Sequence, residues 1–119
     1  MVAYYAADLL WATRIKATAQ DVGVEARPVR SVEMLRARLA DSDVRGLVVD
    51  LESPDVSLEL IKEVRALPER EKGITVVAFG PHAAVEAFDR AKEAGADVVL
   101  ARGAFDRRLG EVLRELDGN

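Results

Sequence analysis

Residues Leu47 to Arg65 read LVVDLESPDVSLELIKEVR, and they pass from one hydrophobic pattern to another within a few residues. The first part is apolar and ends in Asp50, which is typical of a parallel strand covered on both faces. Apolar residues then recur at helical spacing over Leu58–Leu67, with Ser57 as the predicted N-cap and Pro68 as the stop. The segment therefore predicts a strand, a loop and a helix in that order.

The same alternation runs along the whole chain. Short apolar runs, each predicted to be a strand, span Val2–Ala7, Val24–Val29, Leu47–Leu51, Ile74–Phe79 and Asp97–Ala101. Segments with helical spacing follow them at Leu9–Val22, Val32–Ala40, Leu58–Leu67, Ala83–Ala94 and Phe105–Leu116. Such repeated units predict an α/β fold, namely a doubly wound parallel five-stranded sheet of the flavodoxin-like (βα)5 type with strand order 2-1-3-4-5. Pro28 predicts that the second strand lies at an edge, because proline cannot donate to an interior ladder.

Length and composition exclude several classes of protein. The 119 residues predict a single domain over 1–119, since two domains of half this size would bury too little core. Cysteine is absent and His82 is the one histidine, so disulfides, thiolate nucleophiles and two-imidazole sites are excluded. The formal net charge of −4 argues against nucleic-acid binding, and no apolar run approaches the ~20 residues of a membrane span. We expect a cytoplasmic chain that binds neither nucleic acid nor membrane.

In this architecture ligands bind beyond the C-terminal ends of the strands, where the strand order reverses. Asp8 follows the first predicted strand and Asp50 ends the third, so the two carboxylates should lie close together. A hard cation such as Mg²⁺ would relieve their repulsion. Arg102 follows the fifth strand and should approach the same crevice. The bland alternatives are that Asp8 caps the first helix and that Arg102 is an ordinary surface cation.

On these residues the chain resembles the receiver domains of two-component response regulators. Receivers carry an apolar strand, the phospho-accepting aspartate and a proline four residues later, and Asp50 and Pro54 fall on the last two positions. The stretch AGADVVLAR, from Ala94 to Arg102, is similar to the receiver pattern A-G-A-x-x-Y-[LV]-x-K. The resemblance implies that Asp50 is the phospho-acceptor position. It also implies Mg²⁺ ligation by Asp8, by Asp50 and by the backbone carbonyl of Glu52.

The chain departs from the receiver pattern at the positions that carry the chemistry. The pair of acids after the first strand reads Ala7-Asp8, so one acid is missing. The phosphoryl-contact and switch positions fall on Phe79, with Gly80 beside it, and on Arg102 in place of a lysine. The hydroxyl that binds the phosphoryl group is therefore absent. We expect Arg102 to hydrogen-bond directly to Asp50 or Asp8.

Three functions follow from these observations. The first is a pseudo-receiver, which would bind proteins such as a histidine kinase or another signalling protein without phosphorylation. It would also form homodimers through the fourth helix, fifth strand and fifth helix. Candidate residues of that interaction face are Phe105, Arg107, Arg108 and Glu111.

The second is a true phospho-acceptor, phosphorylated on Asp50 by a histidine kinase with Mg²⁺. The third is an enzyme or cofactor binder on the same fold. A phosphate-binding loop would need glycines and hydroxyls after the first strand, where the chain reads ADLLW from Ala7 to Trp11. We therefore expect no enzymatic activity.

Overall fold

The computed structural model describes residues 1–68 and 73–118. Within these ranges, strands and helices alternate along the chain. The strands are β1 (Val2–Tyr5), β2 (Ala26–Pro28), β3 (Gly46–Asp50), β4 (Thr75–Gly80) and β5 (Val98–Ala101). The helices are α1 (Leu9–Val22), α2 (Val32–Asp41), α3 (Pro54–Arg65), α4 (Val85–Ala94) and α5 (Arg102–Leu116).

The strands form one parallel sheet in the order β2-β1-β3-β4-β5, which confirms the predicted topology. β2 lies at an edge, as Pro28 indicated. β3 occupies the centre, and every residue from Gly46 to Asp50 is buried. The carboxyl end of β3 is therefore surrounded by neighbouring strands and helices, which determines the environment of Asp50.

The helices cover the two faces of the sheet. On one face, Leu47 and Val49 of β3 pack into a cluster that includes Ile61 of α3. On the other face, Val48 of β3 packs into a second cluster that includes Leu113 of α5. Because successive side chains of a strand point to opposite faces, Asp50 lies on the same face as Val48. No helix in the described part of the chain is long and apolar enough to cross a membrane.

Residues with known capping preferences stand at the ends of α1, α2 and α4. Asp8 is the N-cap of α1, and its Oδ1 accepts a hydrogen bond from the Leu10 amide at 2.8 Å. Ser31 caps α2 by accepting from the Met34 amide at 3.2 Å. Gly95 ends α4 with φ of 118°, a left-handed conformation that glycine adopts without strain.

Two predicted helix starts are wrong. α3 begins at Pro54 rather than Leu58, because proline has the right φ for the first turn and lacks only an N–H that needs no partner there. Ser57 is consequently inside α3 and buried, and it caps nothing. α5 begins at Arg102, before the predicted start at Phe105. Residues 69–72, which follow the predicted stop at Pro68, lie outside the described part.

Candidate functional site

The residues predicted to form a site gather at the carboxyl edge of the sheet. Asp8 follows β1, Asp50 ends β3, Gly80 ends β4 and Arg102 follows β5. These four positions come from parallel strands, so all of them lie at the same edge. The location of the crevice is thus the one expected from the topology.

Asp50 is fully enclosed, with 0% of its surface exposed. Its Oδ1 accepts a hydrogen bond from the Glu52 amide at 3.0 Å. Its Oδ2 is buried and has no hydrogen-bond partner within residues 1–68 and 73–118. Its backbone carbonyl accepts a hydrogen bond from the Ser57 hydroxyl, which ties the end of β3 to α3. The Asp50 carboxylate is therefore hydrogen-bonded through Oδ1, whereas Oδ2 has no partner among the described residues.

Burial raises the pKa of Asp50 above its ordinary value of 3.8. The Glu52 amide and the positive charge of Arg102 oppose this rise, because both stabilise the ionised carboxylate. The negative charges of Glu52 and Asp8 raise the pKa further. The structure therefore brings the charges of Asp8, Glu52 and Arg102 close enough to Asp50 to act on it.

Arg102 does not form the predicted hydrogen bond with Asp50 or Asp8. Its Nη2 pairs instead with Oε2 of Glu52 at 2.8 Å. Its Nε is buried and unpartnered among the described residues. The physical reason is that Arg102 can reach the partly solvated carboxylate of Glu52 in the turn after β3. The Asp50 carboxyl is instead buried and already hydrogen-bonded to the Glu52 amide.

Phe79, on which the phosphoryl-contact position falls, lies in the core rather than in the crevice. Its side chain is fully buried, and its ring stacks on Phe105 with centroids 4.0 Å apart. Trp11 completes an aromatic cluster, with centroids 5.1 Å from Phe79 and 5.7 Å from Phe105. Asp50 is the cross-strand partner of Phe79, so both side chains lie on the same face of the sheet. The cluster therefore forms apolar surroundings for Asp50.

Gly80 leaves no room for a hydroxyl-bearing side chain in this arrangement. A Cβ atom added there would lie 3.1 Å from Cβ of Leu51 and 3.3 Å from Cε1 of Phe88. Both distances are shorter than ordinary van der Waals contact. Gly80 is thus a closely packed end of β4, and a side chain there would require its neighbours to move.

The expected interaction face needs one correction. Phe105 is 0% exposed, because its ring is part of the aromatic cluster, so it cannot present itself to a partner. Arg107, Arg108 and Glu111 are exposed on the outer side of α5. Arg108 and Glu111 form a long ion pair of 3.5 Å. The outer side of α5 therefore offers charge rather than an aromatic anchor.

A site for Mg²⁺ needs an octahedron of oxygen ligands, several of which are retained waters. Asp8 already uses Oδ1 as a helix cap, and Asp50 is enclosed. No group of three acidic, histidine or cysteine side chains in the described ranges is arranged to hold a metal. Arg102 adds a positive charge beside Asp50. As arranged, Asp8 and Asp50 each have one oxygen already hydrogen-bonded, and the enclosed Asp50 would need to be uncovered before a hydrated Mg²⁺ ion could reach it.

Sequence reasoning missed two contributors. It assigned a role to the carbonyl of Glu52, whereas the side chain of Glu52 holds Arg102. It read Ser57 as a cap, whereas Ser57 fastens the end of β3. An acid two residues beyond a strand end, at the same edge as a cation, was a usable signal for the ion pair. The Ser57 contact had no such signal, because it depends on where α3 begins.

Cavities open at both ends of the sheet, and one of about 170 Å³ lies at this edge, lined by residues that include Ala6, Ala7, Leu9 and Arg30. One of about 510 Å³ opens at the opposite end of the sheet, and its lining includes Val44, Arg45, Ile74 and Leu116. The chemistry-bearing residues and this cavity are therefore at different ends of the strands.

No model of a protein family matches the chain, and no curated protein matches it. Solved structures, in contrast, do match the chain. A response regulator from Thermotoga maritima is 15% identical, with a TM-score of 0.76 over 99% of this chain and 97% of that chain. The chemotaxis response regulator CheY4 of Vibrio cholerae is 18% identical, with a TM-score of 0.76 over 97% and 96%.

The receiver domain of the sensor histidine kinase PA1611 from Pseudomonas aeruginosa PAO1 is 17% identical, with a TM-score of 0.78 over 99% of this chain and 97% of that chain. That structure has a magnesium ion coordinated in its active-site cleft. At these levels of identity, the likeness establishes the architecture. The chain has the CheY-like, flavodoxin-type fold of response-regulator receiver domains.

Proposed function

We propose that this chain is a receiver-fold signalling module that binds other proteins, has no enzymatic activity and does not depend on phosphorylation of Asp50. The enclosure of Asp50 carries the proposal. Its carboxyl is 0% exposed, beside the ring of Phe79. A phosphoryl donor cannot reach such a group unless the surrounding side chains move. The resemblance and the neighbours with this fold supply the signalling context.

The chemistry of phosphoryl transfer supports the same proposal. Transfer to a carboxylate depends on positioning and on neutralising the phosphoryl oxygens. Here Phe79 and Gly80 provide no hydroxyl, and Arg102 is engaged with Glu52. A phosphoryl group adds close to two negative charges and needs new partners to drive a switch. This site supplies few of them.

We also propose that the magnesium site is weakened relative to that of a standard receiver. Ala7 stands where the second acid is expected, which removes one carboxylate. Asp8 has a structural function as the cap of α1, which explains its presence without a metal. The guanidinium of Arg102 supplies a positive charge that a cation would otherwise bring to Asp50.

The proposed partners are proteins, among them a histidine kinase or another signalling protein, and the proposed location is the cytoplasm. A second copy of the chain is the partner proposed for the surface of α4, β5 and α5. That surface carries Val85 and Val98, which are 63% and 40% exposed, together with the charged outer side of α5. The negative net charge supports protein rather than nucleic-acid partners.

A phospho-acceptor receiver is the second candidate, and one observation favours it. Asp50 lies at the end of β3 with Oδ2 unpaired within the described ranges, and the cation Arg102 is nearby. Opening of the pocket would make that oxygen available for phosphorylation by a histidine kinase. Mg²⁺ would then be held by Asp8, Asp50 and the Glu52 carbonyl.

Incubation with acetyl phosphate and Mg²⁺, followed by intact-mass measurement, separates the two candidates. We expect no added phosphoryl group in the unaltered chain and none in Asp50→Asn. Capture of protein partners should be equal for both chains, since the proposed binding does not use the carboxylate. A stable gain of one phosphoryl group that disappears in Asp50→Asn would establish the second candidate instead.

A further inference from the structure

The Glu52–Arg102 ion pair crosses the end of a strand. Glu52 lies in the turn after β3, and Arg102 is the first residue of α5, directly after β5. β4 lies between these two strands, so the pair bridges roughly 10 Å of sheet at ~4.8 Å per strand. β4 ends there in Gly80, which has no side chain. Two long charged side chains therefore meet over the carboxyl edge, beside Asp50.

A hydrogen bond links the Glu52–Arg102 ion pair to Asp50. Oδ1 of Asp50 accepts the hydrogen bond of the Glu52 amide at 3.0 Å, so the Asp50 carboxylate holds the backbone that carries one half of the pair. Arg102, the other residue of the ion pair, places its positive charge near the Asp50 carboxylate. Asp50 is fully enclosed while this arrangement holds.

The Glu52–Arg102 ion pair is partly exposed, so other charges can compete with it. The Arg102 side chain is 32% exposed and that of Glu52 is 49% exposed, so water and salt compete for both charges. Arg102 is held through Nη2, and its Nε has no partner in the described part of the chain. Once Arg102 turns outward and its buried Nε becomes accessible, a carboxylate that takes both nitrogens in a bidentate pair would bind Arg102 better than Glu52 does.

We propose that Glu52 and Arg102 form a latch that closes Asp50 off, and that an acidic side chain of a partner protein opens it by taking over Arg102. In the closed state the pair covers the pocket. In the open state Arg102 turns outward, the turn after β3 loosens and the Asp50 carboxyl becomes reachable from solvent. The inference goes beyond the proposed function, since it concerns access to Asp50 whatever its role.

Carboxyl labelling tests the latch directly. The chain is treated with a water-soluble carbodiimide and a glycine ester, and amide formation at Asp50 is quantified by peptide mass spectrometry. Asp21, which is exposed and has no ion pair among the described residues, serves as the internal reference. We expect Glu52→Gln to speed labelling of Asp50 roughly two- to fivefold, the range that a partly exposed ion pair supports. Arg102→Met should produce a similar or larger increase.

Glu63→Gln is the matched control, because it breaks the Arg36–Glu63 ion pair on another part of the surface. It should leave the labelling rate of Asp50 unchanged. An increase equal to that of Glu52→Gln would reflect general loosening and would overturn the proposal. So would a Glu52→Gln rate equal to, or below, that of the unaltered chain, since Glu52 would then not be what closes the pocket.

The unaltered chain provides a second arm that needs no variant. Raising NaCl from about 0.05 M to about 0.5 M screens exposed charges, so Asp50 labelling relative to Asp21 should rise. The same rise should be absent in Glu52→Gln, where the screened interaction has been removed. A relative rate that does not change with salt in the unaltered chain would contradict the latch.

Discussion

Phe79 and Phe105 stack face to face, with their ring planes 4° apart and their centroids 4.0 Å apart. The stack joins the end of β4 to the first turns of α5, and Trp11 of α1 packs against both rings. The position at which the receiver pattern has a hydroxyl is therefore occupied by buried aromatic surface. Stability and the enclosure of Asp50 both depend on it.

Phe79→Ala should destabilise the fold by about 3–5 kcal/mol, the usual cost of removing a buried phenylalanine ring. The cost arises because the ring is 0% exposed and its loss removes a ring against which Phe105 and Trp11 both pack. Urea unfolding followed by circular dichroism measures the change. Trp11, the one tryptophan of the chain, should show altered fluorescence in the folded variant.

Val85→Ala is the control for this change, because Val85 is 63% exposed. Its effect should stay within about 0.5 kcal/mol, as for other surface substitutions. A loss of similar size in Phe79→Ala would mean that the aromatic cluster contributes little to the fold.

Asp50→Asn should change how stability depends on pH. The folded-state pKa of Asp50 is raised, so between 3.8 and that raised pKa the folded chain binds more protons than the unfolded chain. The contribution of Asp50 to stability is therefore greatest at low pH and is lost as pH rises through the raised pKa. The asparagine variant cannot lose a proton and should lack this decline.

The difference in unfolding free energy between Asp50→Asn and the unaltered chain isolates this effect, because the other titrating groups cancel. Urea unfolding from about pH 4 to about pH 8 measures it, and the difference should increasingly favour asparagine as pH rises. A difference that is constant over the range would show that Asp50 titrates alike in both states.

Arg65→Lys should be costly despite the conserved charge. Arg65 Nε donates to the Gly95 carbonyl at 2.8 Å, and Nη1 donates to the Ile74 carbonyl at 2.9 Å. Its Nη2 pairs with Asp97, whose Oδ2 also accepts from the Val76 amide. Lysine has one nitrogen and cannot serve three acceptors in this geometry, so we expect a loss of about 1–3 kcal/mol in urea unfolding.

Arg36→Lys is the comparison for Arg65→Lys. Arg36 forms an ion pair with Glu63, but its side chain is 62% exposed, so lysine should substitute within about 0.5 kcal/mol. Equal losses at the two positions would argue that the Arg65 contacts contribute no more than a surface ion pair.

The order of elements and the location of the site could be predicted because their signals are local. Apolar runs and helical spacing predicted the five strands and five helices found in residues 1–68 and 73–118, and Pro28 indicated the edge strand. The side-chain cap at Asp8 was readable for the same reason, since it acts on a backbone group two residues away. The strand order then places Asp50 and Arg102 at one edge.

The partners of the side chains at that edge required the tertiary structure. Phe79 and Phe105 are separated by a helix and a strand, so their stacking cannot be read from either segment alone. Arg102 pairs with Glu52 rather than with Asp50, and this depends on which of the two carboxylates stays solvated. The sequence by itself determined the parallel sheet and the place of its crevice, because hydrophobic periodicity and caps act locally. Only the packed structure decided that Asp50 is sealed, because burial and ion pairing depend on neighbours from distant strands and helices.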